Sequence, residues 1–131
     1  MALILNLDDE PWLLEMNQQL LQAAGHNFMG VTNSHEALRL LRHEPIDLFI
    51  QDLCRPDITG EQVYKIMKAD PQLGQIPTLI ISGNNVAWFQ VGIDLVYSTD
   101  GFLKKPYIPD MFLGKVAKLL ARNPRKLESA L

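Results

Sequence analysis

Ile46-Asp47-Leu48-Phe49-Ile50-Gln51-Asp52, followed at once by Leu53-Cys54-Arg55-Pro56-Asp57-Ile58-Thr59-Gly60, decides how the chain is read. An apolar run of strand length ends in a carboxylate, and a Pro/Asp/Gly turn begins directly behind it. Such a run is a buried strand that carries Asp52 to the edge of a sheet. Alone, an aspartate there is an ordinary turn or helix-cap residue. Three other strand-like runs change that reading, because they end in complementary groups. Leu3-Ile4-Leu5-Asn6-Leu7 ends in Asp8-Asp9-Glu10, Thr78-Leu79-Ile80-Ile81 in Ser82-Gly83, and Gly101-Phe102-Leu103-Lys104 in Lys105-Pro106.

Between these runs the apolar spacing turns helical. Asp9 and Pro11 mark a helix start, since Asp caps and Pro suits the first turn. Leu13, Met16, Leu20, Leu21 and Ala24 follow at helical spacing, and Gly25 stops the helix. A weaker strand is expected over 26–32. Asn33 and Ser34 can cap a second helix, with Ala37, Leu38 and Leu41 on one face. Gly60–Ala69 reads as a third helix with Val63, Ile66 and Met67 inward, closed by Asp70-Pro71. A fourth strand is expected over 76–82, a fourth helix over 84–96, a fifth strand over Gly101–Lys104 and a last helix over 109–122. The order βα repeated five times uses up the chain. Strands at that spacing need crossover helices, so one doubly wound, five-stranded parallel sheet with five flanking helices is expected. Residues 1–122 form that domain, and 123–131 read as a tail or the start of a linker.

The 131 residues suit one domain with a real core. Hydrophobic residues make up 47% and charged residues 21%, an ordinary globular balance. The net charge of −3, without a basic run before the last ten residues, argues against nucleic-acid binding by this chain alone. The single cysteine, Cys54, excludes an internal disulfide and fits a reducing compartment. No signal peptide or membrane span is legible, so a cytoplasmic location is the expectation.

In an open parallel sheet the ligand site lies beyond the carboxyl ends of the strands, where strand order reverses. That rule gathers Asp8, Asp9, Asp52, Ser82 and Lys105. Carboxylates meeting at one sheet edge repel unless a cation joins them, and an all-oxygen site of this kind suits Mg2+. Ser82 supplies a neutral donor and Lys105 a point charge for a phosphoryl oxygen. An aspartate that accepts a phosphoryl group needs in-line positioning and charge neutralisation more than acid or base groups.

With these motifs in view the chain resembles the receiver domain of bacterial two-component response regulators, over residues 2 to about 122. The resemblance rests on Leu-Asn-Leu-Asp8-Asp9-Glu10-Pro, Gln-Asp52-Leu-Cys-Arg-Pro56-Asp-Ile-Thr-Gly60, Pro-Thr-Leu-Ile-Ile-Ser82-Gly and Gly-Phe102-Leu-Lys-Lys105-Pro106. It implies a flavodoxin-like strand order 2-1-3-4-5 and a chemotaxis-regulator-like switch. Asp52 would be the phosphoacceptor, served by a histidine kinase or phosphotransfer protein. Mg2+ would be held by Asp9 directly, Asp8 partly through water, Asp52, and the backbone carbonyl of Cys54. Ser82 and Phe102 would be the hydroxyl and aromatic switch positions, and Lys105 the phosphate-binding lysine, with a cis bond to Pro106. Arg55 stands where the family usually has Met, and Tyr97-Ser98-Thr99 interrupt its usual Ala-x-x-Gly-Ala pattern. Segment 84–96 is unusually apolar, with Trp88 and Phe89 adjacent. That fourth helix, the fifth strand and the last helix are the expected contact for an output partner or a homodimer.

Two other functions compete. An aspartate-nucleophile phosphohydrolase commonly carries a second Asp two residues after the nucleophile, where this chain has Cys54. A flavin-binding electron carrier needs a Ser/Thr/Gly-rich phosphate loop after the first strand, where Asp8-Asp9-Glu10 would repel phosphate.

Overall fold

Apolar runs that alternate with amphipathic stretches bury themselves by stacking helices on both faces of a sheet, and the computed structural model has that layout. It describes residues 2–52, 60–83 and 101–122. In chain order the elements are β1 (Leu3–Leu7), α1 (Pro11–Ala23), β2 (Asn27–Val31), α2 (Ser34–His43), β3 (Leu48–Asp52), α3 (Gly60–Ala69), a 3-10 turn (Leu73–Gln75), β4 (Thr78–Ser82), β5 (Gly101–Lys104) and α4 (Pro109–Ala121). The five strands are parallel in the order β2-β1-β3-β4-β5, the flavodoxin-like order. Four α-helices flank the sheet among the described residues. The helix expected over 84–96 lies outside them.

Side chains alternate across each strand, so the sheet has two cores. Leu5, Leu7 and Phe49 face Leu38, Leu41, Val63 and Met67, which places α2 and α3 on one side. Ile4, Leu48, Ile50, Leu79, Ile81 and Leu103 face Leu21, Phe112, Val116 and Leu119, which places α1 and α4 on the other. β3 and β4 are buried along their whole length, as central parallel strands must be. β2, at the edge, is half exposed, which explains its weak apolar signal. Gly101 opens β5 where a Cβ would meet Leu119 Cδ1 at 3.2 Å, so α4 packs close against the last strand.

The boundaries follow from where backbone donors go. At the end of α1, Gly25 takes a φ of +93°, its N–H donates to Gln22 O, and His26 N–H donates to Leu21 O. That pair of bonds satisfies the last helical carbonyls and delays β2 to Asn27. β4 likewise begins at Thr78 because Ile76 N–H is taken by Leu73 O in the 3-10 turn. Asn33 caps α2, its side chain accepting from Glu36 N–H at 2.8 Å. Asp9 does not cap α1. Glu10 is the N-cap residue and makes no side-chain cap bond, while its own N–H donates to Asp8 Oδ1. On α3 the inward stripe is Val63, Tyr64 and Met67, and Ile66 is exposed. The apolar body of Tyr64 takes the place expected for Ile66.

Candidate functional site

The register sets the site. Leu7 lies opposite Gln51 and Asp52 opposite Ile81, so the carboxyl ends of β1, β3 and β4 come level. Asp8 follows directly on β1, and Asp52 is the last residue of β3. Both are almost wholly buried, at 1% and 4% exposure. Two carboxylates this deep need a counter-charge, and Lys105 supplies it. Its Nζ lies 3.1 Å from Asp52 Oδ2 and 3.3 Å from Asp8 Oδ2. Glu10 Oε1 stands farther off, at 3.9 Å.

Lys105 is aimed there by its backbone. Its N–H donates to Ser82 O at 3.1 Å, which ties the turn after β5 to the end of β4. The Lys105–Pro106 bond is cis, as the resemblance implied. Ser82 is buried at the carboxyl end of β4, and Phe102 is half-buried on β5.

Burial pushes the Asp8 carboxyl above the usual range and Asp52 nearby adds to it, while the Glu10 N–H and Lys105 work against it. For Lys105, burial alone would pull the ammonium down. The carboxylates of Asp52, Asp8 and Glu10 outweigh burial and raise it, so the lysine is firmly charged.

The carboxylate oxygens of Asp8, Asp9 and Glu10 lie within 4.8 Å of one another. Asp8 is buried, Glu10 half-buried and Asp9 exposed. An all-oxygen, anionic set of this size fits a hard divalent cation such as Mg2+. Glu10 is part of that set, a role its place in the acidic motif did not assign. Asp52 is joined to the set through the shared ammonium. Asp8, Asp9, Asp52, Ser82 and Lys105 therefore converge at one sheet edge. Cys54, with its backbone carbonyl, lies outside the described residues. The histidines are elsewhere: His35 and His43 are exposed and His26 is half-buried.

Composition did not point to a hydrogen-bonded polar series beneath the site, in which Asn6 and Asn17 are buried and Tyr107 is half-buried. Tyr107 OH donates to Asn17 Oδ1 at 3.0 Å, and Asn17 Nδ2 donates to Asn6 Oδ1 at 2.8 Å. Asn6 Nδ2 donates to Ile50 O at 3.3 Å. The only available signal was Asn17 standing four residues from both Leu13 and Leu21, on the buried stripe of α1.

A family model described as the response regulator receiver domain matches residues 4–117. The chain belongs to the response regulator receiver domains. Curated relatives of this receiver domain include the response regulator Rre1 of a Synechocystis strain, 30% identical over 126 residues, covering 92% of this chain and 52% of Rre1. SaeR of Staphylococcus epidermidis is 30% identical over 129 residues, covering 98% of this chain and 55% of SaeR. The chain thus spans about half the length of the curated relatives it matches. Among solved structures, the receiver domain of a signal transduction histidine kinase from Syntrophus aciditrophicus superposes with a TM-score of 0.83 at 27% identity, covering 95% of this chain and 94% of its own. The chemotaxis response regulator CheY4 of Vibrio cholerae has a TM-score of 0.80 at 26% identity, with coverages of 91% and 98%. Receiver domains are signalling switches of two-component systems rather than dedicated enzymes. No helix among the described residues is long and apolar enough to cross a membrane.

Proposed function

We propose that this receiver domain is a phosphoacceptor switch, in which a histidine kinase or phosphotransfer protein donates a phosphoryl group to Asp52. The observation that carries the reading is the Lys105 ammonium held between the buried carboxylates of Asp52 and Asp8. An Asp52 carboxylate oxygen attacks the phosphorus of a phosphohistidine. The P–O bond forms as the P–N bond breaks, and the imidazole leaves with the electron pair and takes up a proton. The product is an acyl phosphate on Asp52. Mg2+ held by Asp8, Asp9, Asp52 and the Cys54 carbonyl would supply neutralising charge at the acceptor and phosphoryl oxygens. Lys105, already 3.1 Å from Asp52, is placed to exchange its carboxylate contact for a phosphoryl oxygen.

Ser82, buried at the neighbouring strand end, donates its hydroxyl to the same group. Phe102 follows that movement and alters the surface of β5. Segment 84–96, β5 and α4 form the contact read by an output partner or a second copy. The switch occupies residues 1–122, with 123–131 as a tail or linker. Incubation with phosphoramidate tests the reading: one phosphoryl adduct should form with Mg2+ and none with a chelator. Equal adduct with and without the cation would contradict the metal assignment, and no adduct under either condition would contradict the switch.

A further inference from the structure

The polar chain beneath the site has a fixed direction. A backbone carbonyl can only accept, so Ile50 O obliges Asn6 to present its Nδ2 there and its Oδ1 to Asn17. Asn17 must then present Nδ2 to Asn6, which leaves its Oδ1 facing outward. The Tyr107 hydroxyl is therefore the donor that closes the series. Asn6 is 1% exposed and Asn17 is 0% exposed, and both sit on the face of the sheet lined by Ile4, Ile50, Leu21 and Phe112.

Apolar side chains of similar shape would fill these places at little or no cost in stability. What the amides and the phenol add is position. Asn6 lies in β1, two residues before Asp8, which follows directly on that strand. Ile50 stands two residues before Asp52, and Tyr107 two residues after Lys105. The series thus joins the backbone segments that carry the three interacting charges of the site. The Tyr107 ring is held as well, stacked on Phe112 with centroids 5.3 Å apart and planes 21° from parallel. Ring and hydroxyl together pin the turn that follows Lys105.

We infer that Tyr107, acting through Asn17 and Asn6, is a positioning residue that holds the Lys105 turn in register with Asp8 and Asp52 for phosphoryl acceptance. The inference rests on the proposed role of Lys105 at the acceptor. With the turn anchored, the ammonium reaches a phosphoryl oxygen by side-chain rotation alone, and the backbone does not have to be ordered first. Loosening the anchor spreads Lys105 over more positions and slows the reaction, since small misplacements at a reacting centre weigh heavily on rate.

Tyr107→Phe keeps the ring on Phe112 and removes only the donor. Its initial rate of phosphorylation by phosphoramidate at saturating Mg2+, followed by intact mass, should fall about tenfold. The same substitution in a Lys105→Ala background should change the rate by less than about twofold, because an effect routed through Lys105 has nothing left to act on. A third protein, Asn6→Val with Asn17→Leu and Tyr107→Phe, removes the whole series and leaves no orphaned amide. It should melt within a few degrees of the wild type yet remain as slow as Tyr107→Phe. Wild-type rate in Tyr107→Phe, or in the folded triple variant, would overturn the inference. So would effects of Tyr107→Phe and Lys105→Ala that simply multiply. If Tyr107→Phe does not fold, the triple variant decides alone. A wild-type protein that takes up no phosphoryl group would instead refute the reading of the site, and this inference with it.

Discussion

Lys105 and Asp52, 53 positions apart in sequence, meet with the lysine Nζ 3.1 Å from Oδ2 of the buried carboxylate. The same ammonium is 3.3 Å from Asp8, so one cation bridges the carboxylates of two strand ends. Removing it leaves two buried carboxylates facing each other, which should destabilise the metal-free domain by about 1–3 kcal/mol. Lys105→Ala should nonetheless fold, accept some phosphate, and fail to switch. Amide shifts around Ser82 and Phe102 on addition of beryllofluoride read this directly. Wild-type-sized shifts in the variant would count against a switching role for Lys105.

Asp9 should matter more to cation binding than Asp8. Asp9 is exposed, whereas Asp8 is buried and already engaged by Glu10 N–H and Lys105. Asp9→Ala should weaken Mg2+ binding on the order of tenfold, or about 1.4 kcal/mol, and Asp8→Ala by less. Titration of the two variants checks the order, and equal affinity in wild type and Asp9→Ala would exclude Asp9 as a ligand.

Asp8 also predicts a pH dependence. Its carboxyl is raised in the folded state, chiefly by burial, so the folded protein holds this proton more tightly than the unfolded chain. Stability from this group is therefore greatest at acid pH and is lost as pH rises through the raised value. Above that raised value the cost is fully present. In chelator at pH 7, Asp8→Asn should stabilise the fold by about 1 kcal/mol, and the gain should shrink toward pH 4. Thermal melts at the two pH values test this, and a constant or growing gain on acidification would reverse the sign.

The strand ends were legible because a buried parallel strand is a nearly unbroken apolar run, and a carboxylate or lysine that closes it stands out. Asp8, Asp52, Ser82 and Lys105 were found in that way. Asn17 and Tyr107 were not, since an asparagine on an amphipathic helix reads as solvated and a tyrosine after Pro reads as a turn. The burial of Asn17 and the half-burial of Tyr107 show only once α1 and the turn after β5 are packed together. The Asp9 cap failed for a local reason: the Asp8 carboxylate takes the Glu10 N–H, and the helix starts one residue later than a cap at Asp9 requires. Ile66 and Tyr64 exchanged places because helical phase at Val63 and Met67 admits either neighbour.

Segment 84–96 gives a prediction from sequence alone, since it lies outside the described residues. Positions 86–93 hold six apolar side chains and no charge. Were the segment a helix, as its sequence suggests, adjacent residues would point about 100° apart and Trp88 and Phe89 would not share one inward direction. Trp88→Ala should weaken self-association or partner binding by the phosphorylated form while leaving the phosphorylation rate unchanged. Sedimentation with and without beryllofluoride reads the self-association, and the same assembly state in both proteins would exclude the dimer.

Whether Asp52 itself carries the phosphoryl group is tested most directly by the intact mass of wild type and Asp52→Asn after incubation with phosphoramidate and Mg2+. Asn keeps the size of the side chain and removes the nucleophilic carboxylate. The wild type should gain one phosphoryl adduct and Asp52→Asn, folded by circular dichroism, should gain none. An undiminished adduct on folded Asp52→Asn would contradict the assignment.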